Sequence, residues 1–153
     1  MNEVRAMEGK KPLTKSLVHE VLVGIPGIRP LFSPEGHACV IFKNLDDDFF
    51  FTVTMTLDGL FDDVLVFMAS LENPPHLSEE TALRLANRWN VERRWPRVWV
   101  RKGKIWADYH LPLPTEVEPE VLHVLFVHLF QSLVQFSEWL AENSEPSSPI
   151  VMA

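Results

Sequence analysis

The sequence predicts an α+β fold: a two-layer domain in the order α-βββ-α-ββ-α, with a five-stranded antiparallel sheet and its helices on one face. Three observations lead there. Between His37 and Glu72, short runs rich in Val, Phe, Ile and Thr are separated by aspartate-rich breaks, as successive hairpins would be. Within them Phe49, Phe51, Val53, Met55 and Leu57 alternate with Thr52, Thr54 and Thr56, the pattern of a sheet buried on one face. Around these runs, apolar residues recur at helical spacing behind residues suited to cap a helix.

Residues 1–12 read as a flexible leader ending at Pro12, residues 13–142 as one domain, and residues 143–153 as a flexible Ser/Pro tail. Thr14 suits the N-cap of a first helix, whose Leu17, Val18, Val21 and Leu22 share a face. Gly24, Pro26 and Gly27 stop it, and Gly27–Gly36, with Pro30 and Pro34, reads as loop. Three strands follow, His37–Leu45, Phe49–Leu57 and Val64–Glu72, turned by Asp46–Asp48 and Asp58–Asp63. Asn73–Leu77, with Pro74 and Pro75, closes this meander.

Ser78 then caps a second helix, with Glu79 and Glu80 in the turn where the dipole favours negative charge. Ala82, Leu85, Ala86 and Trp89 form its apolar stripe. Strands Trp95–Arg101 and Lys104–Leu111 flank the tight pair Lys102-Gly103. A last helix starts at Glu118-Pro119, where proline suits the first turn, and runs to Glu142. Its Leu122, Leu125, Phe126, Leu129, Leu133, Phe136 and Leu140 serve the core. Val121, Val124, Val127, Phe130 and Val134 are surplus apolar surface and predict a homodimer interface.

With 153 residues, 46% hydrophobic and a net charge of −7, the chain can bury a core and is too apolar for a disordered one. Its one cysteine, Cys39, cannot form an internal disulfide and reads as a small buried hydrophobe. The longest uncharged stretch, Val121–Ser137, is shorter than the roughly 20 apolar residues of a membrane span and is broken by His123, His128, Gln131, Ser132 and Gln135. Met1–Lys11 has charges of both signs and no apolar run behind it. A cytoplasmic protein without membrane contact is the expectation.

Catalysis finds no support in the motifs. Gly9-Lys10 lacks the upstream glycine of a phosphate loop, no Gly-x-Ser-x-Gly elbow occurs, and nothing near His37 and Cys39 offers an oxyanion site. His123 and His128 are five apart, not the four of a helical zinc pair, and the aspartates at 46–48, 58, 62 and 63 lack calcium-loop spacing. No catalytic residue, cofactor or metal is expected.

Charge asymmetry stands out. Residues 84–104 carry eight of the fourteen basic side chains and a single acid, Glu92, giving +7 against −14 for the remainder. Strand alternation places Trp95, Arg97, Trp99 and Arg101 on one face and Lys104, Trp106, Asp108 and His110 on the matching face of the next strand. With Val98 and Val100 turned to the core, a Trp/Arg surface faces outward. Such a surface fits a protein partner, since Trp and Arg dominate binding hot spots. A tryptophan layer covered by arginine stems, with no partner, ranks second. Single-stranded nucleic acid, which would stack bases on the rings, ranks third because the whole chain is acidic.

The segment Asn87-Arg88-Trp89-Asn90-Val91-Glu92-Arg93-Arg94-Trp95, followed by a Gly-turned hairpin, Asp108 and an apolar last helix with Phe136 and Leu140, resembles the YbjN family of bacterial proteins. The resemblance marks Asn87, Trp89, Asn90 and Asp108 as family-motif positions. It implies a fold like the type III secretion chaperones, which are small, acidic, often dimeric proteins that bind other polypeptides. It also implies a role in sensory transduction or stress regulation, without enzymatic activity. One departure is the basic turn Arg101-Lys102-Gly103-Lys104, where the family usually has an acidic one.

Overall fold

The structure is a computed structural model that describes residues 9–43, 50–72 and 77–144. Among them, three helices carry the predicted caps and apolar stripes: α1 (Lys15–Val23), α2 (Glu79–Glu92) and α3 (Pro119–Ser144). Thr14 Oγ1 accepts the Leu17 N–H at 3.1 Å and Ser78 Oγ accepts the Thr81 N–H at 3.2 Å, so both predicted N-caps bind donors the helix itself leaves unpaired.

Among the described residues eight strands occur in chain order: β1 (Lys11–Pro12), β2 (Leu31–Phe32), β3 (Ala38–Lys43), β4 (Phe50–Asp58), β5 (Val64–Glu72), β6 (Arg97–Arg101), β7 (Lys104–Pro112) and β8 (Glu116–Val117). Six form one antiparallel sheet in the order β2-β3-β4-β5-β7-β6; β1 and β8 pair by themselves. The α+β class is thus as predicted, with one more strand in the main sheet than expected. Leu31–Phe32, read as loop between Pro30 and Pro34, pairs with Ala38–Cys39. Lys11–Pro12, placed in the leader, pairs with Glu116–Val117, and the Leu13 N–H reaches the Thr115 carbonyl at 2.8 Å. Residues 1–8 of the expected leader, the turn at Asp46–Asp48, residues 73–76 and residues 145–153 of the tail lie outside the described residues; Asn143 and Ser144, expected in the tail, continue α3.

Phe51, Val53, Met55 and Leu57 of β4 and Leu65, Phe67, Ala69 and Leu71 of β5 face inward and are buried. On them lies α3, with Phe130 5.4 Å from Phe67 and 5.3 Å from Phe42, and Phe136 6.3 Å from Phe51, ring centre to ring centre. Phe130 therefore belongs to the core and not to a helix flank free for a second subunit; it stands one turn from Phe126 on the same face. Val121 and Val124 are exposed, and Val127 and Val134 half-buried. Trp139, which shares the Val121–Val124 side of the helix, is covered because α2 lies against that end. By length and composition α3 could cross a membrane, but its stripe from Leu122 to Leu140 is buried in this domain's core.

Candidate functional site

The C-terminal turn of α2 fixes the start of β6. Trp89 is buried, and its indole N–H donates to the Pro96 carbonyl at 2.8 Å. The Asn90 side chain does more. Its Nδ2 donates to the Val98 carbonyl at 2.7 Å, and its Oδ1 accepts the Val98 N–H at 2.9 Å. Since β6 is the last strand of the sheet, this amide takes the place of a neighbouring strand at Val98. Asn87, in contrast, is exposed. Arg88 reaches Glu92 at 3.0 Å and lies 5.8 Å from the Trp139 ring centre, while the Trp139 N–H donates to Glu92 at 3.3 Å. The Arg88 hydrogen bond holds the Glu92 carboxyl below its usual range.

The register of β6 on β7 pairs Arg97 with Asp108, Trp99 with Trp106 and Arg101 with Lys104. All six point to the face opposite buried Val98, Ile105 and Ala107, as alternation predicted. Among the described residues no helix covers that face. Its centre is Asp108, only 2% exposed. Arg97 donates to both carboxylate oxygens, from Nε at 3.0 Å and Nη2 at 2.8 Å, and the Trp99 N–H donates at 3.1 Å. Burial opposes ionisation of Asp108. The hydrogen bonds from Arg97 and Trp99 and the neighbouring charge of Arg97 outweigh it, holding the carboxyl below its usual range. Trp99 and Trp106 stack at 5.3 Å and 9°, with the Lys104 ammonium 5.6 Å from the Trp106 ring centre.

Two candidates depart from expectation. Trp95 is not on the strand, because β6 begins only after Pro96. Its ring instead stacks at 5.4 Å on Tyr109, an inward residue, and is 59% exposed at the sheet's corner. There it joins Arg97, Asp108 and His110 around a hollow of about 390 Å3. Cys39, expected to be buried, is half-buried on the outward face opposite Thr54. Sequence reasoning missed the Asn90–Val98 clamp, although the asparagine beside Trp89 was singled out. It also missed Leu60 and Phe61 at the β4–β5 turn, 90% and 76% exposed. Two large apolar residues between aspartates were the available signal.

Among the described residues no three His, Cys, Asp or Glu side chains gather as metal ligands. Fold and site define a small α+β module whose distinctive surface is an open sheet face, organised by an exposed arginine paired with a buried aspartate and by a tryptophan stack. The chain belongs to the YbjN family: a family model described as "Putative bacterial sensory transduction regulator" matches residues 33–142, from the β2–β3 turn through most of α3. That description points to regulation in signal transduction. No curated protein and no solved structure matches the chain.

Proposed function

We propose that the protein is a non-enzymatic, cytoplasmic regulatory module, chaperone-like in mode, that binds another protein through the outward face of β6 and β7. The supporting observation is the fixed aromatic–cationic surface that the Arg97–Asp108 pair and the Trp99–Trp106 stack build on a sheet face that no helix among the described residues covers. Rings and guanidinium groups held in place before binding lose little side-chain freedom on complex formation. Nucleic acid fits this surface less well. Arg97 is engaged by Asp108 rather than offered to phosphate, and the two tryptophans stack on each other rather than standing apart for bases.

The test is affinity capture from nuclease-treated native extract, comparing the chain with a variant carrying Arg101→Glu and Trp106→Leu, both checked by thermal melting. Proteins held by the unaltered chain and lost by a stably folded variant support the reading. Equal capture by both would overturn it. Capture abolished by nuclease, with a steep salt dependence for a single-stranded oligonucleotide, would move the assignment to nucleic acid.

A further inference from the structure

We infer that α3 of one copy of this chain packs antiparallel on α3 of a second copy, in a two-fold symmetric dimer centred on Val124. Helix α3 buries its stripe from Leu122 to Leu140, yet Val121 and Val124 are 59% and 53% exposed. Apolar ground continues to either side of them. Toward α1 lies a hollow of about 360 Å3, which Val124 lines together with Val21, Gly24 and Pro119. Toward β8 lies another of about 240 Å3, which Val121 lines together with Leu113, Pro114 and Leu125.

The order of charge along the helix singles out a second copy as the occupant. Glu120, Val124 and His128 stand four residues apart, all exposed, and so form one ridge. Among the described residues Glu120 and His128 have no side-chain partner. Reversed, this ridge is its own complement. When two such ridges run antiparallel about Val124, valine meets valine, and each Glu120 carboxylate meets an imidazole N–H of His128 from the other copy, twice in one dimer. Ridges of this spacing, laid together, cross the helix axes at about 50°, the commonest arrangement of packed helices.

Other arrangements lose this match. A parallel pair sets Glu120 against its own copy. An antiparallel pair centred on Gln131 sets Val124 against Glu138 and Glu120 against Glu142. An anionic lipid surface would be repelled by Glu20 and Glu120, which edge the hollow beside Val124. The contact lies on the side of α3 turned away from the sheet, so it leaves the outward β6–β7 face open.

The test is analytical ultracentrifugation of the full chain across micromolar concentrations, with circular dichroism to confirm that each variant is folded. The unaltered chain should dimerise. Val124→Asp sets two carboxylates face to face at the centre of the contact and should raise the dimer dissociation constant at least about thirtyfold. His128→Glu acts at both symmetric contacts and should weaken the dimer about tenfold, and adding Glu120→Lys should restore most of that loss. In a Cys39→Ser background, Val124→Cys should form an intermolecular disulfide under mild oxidation, whereas Val91→Cys, at a position 74% exposed on α2, should not. A monomeric unaltered chain, a dimer indifferent to Val124→Asp, a charge exchange that deepens the loss, or equal cross-linking at positions 124 and 91 overturns the inference. Capture of another protein lost with Arg101→Glu and Trp106→Leu reads a different face, so the two readings fail separately.

Discussion

Replacing Arg97 with alanine should unfold the protein at lower temperature near neutral pH and do so much less in acid. The variant leaves the Asp108 carboxylate, 2% exposed, with the Trp99 N–H as its remaining close donor and His110 Nε2 3.6 Å away. Stranding one member of a buried ion pair costs about 3–5 kcal/mol. The Arg97 side chain is itself 62% exposed, so its loss lets water approach Asp108, and the expected cost falls to about 2 kcal/mol. For a chain of this length that is a fall in melting temperature of about 4–8 °C. The pH dependence follows from the direction of the shift. In the native protein Asp108 titrates below its unfolded value, so the pair's stabilisation is present above that unfolded value and disappears as pH falls through the folded one. In Arg97→Ala, burial acts without the guanidinium and raises the carboxyl, which then takes up a proton in mild acid and removes the penalty. Melting curves of both proteins from neutral pH down to mild acid should therefore converge. Equal melting temperatures at pH 7, or a gap that widens in acid, would show that the pair does not hold this face together.

Asn90→Ala should cost about 1–3 kcal/mol, because both Val98 backbone groups lose their partner, and hydrogen exchange at the Val98 amide should speed up. Phe130→Ala should cost about 3–5 kcal/mol in chemical denaturation and leave the oligomeric state unchanged; dissociation of a dimer with full retention of stability would return Phe130 to an interface. Cys39→Ser, on the half-buried outward face, should change unfolding free energy by no more than about 0.5 kcal/mol and leave partner capture intact.

Legibility in the sequence followed the length of each element. Val64–Glu72 is predicted to the residue, and β4 nearly so, because nine residues of strand-forming side chains, a near-continuous apolar run in the one and strict alternation in the other, outweigh local noise. Leu31–Phe32 and Glu116–Val117 span only two residues each and carry no period to read, so the sixth strand and the small second sheet were invisible. Alternation placed Arg97, Trp99, Trp106 and Asp108 on one face, yet which cation meets which carboxylate is a matter of register across two strands. Trp95 escaped because alternation was extended past the true strand start at Arg97. On the α3 flank Val121 and Val124 are exposed, whereas Phe130 is buried in the core. Helical spacing identifies which residues share a side, but whether that side is covered depends on α2 at one end and open surface at the other.

The position of α3 in the chain sets the order of events during synthesis. The inward face of the sheet, with Phe51, Phe67 and Leu71, is made first, and the helix whose Phe126, Phe130 and Phe136 cover it comes last. Lys11–Pro12 also finds its partner only in Glu116–Val117. Until residues 119–144 have left the ribosome, a wide apolar sheet stands exposed, a state in which nascent chains associate wrongly. This protein is thus expected to depend on the cell's own folding helpers in the seconds before its last helix arrives, and a shortened message ending before Pro119 should yield an aggregate rather than a smaller domain.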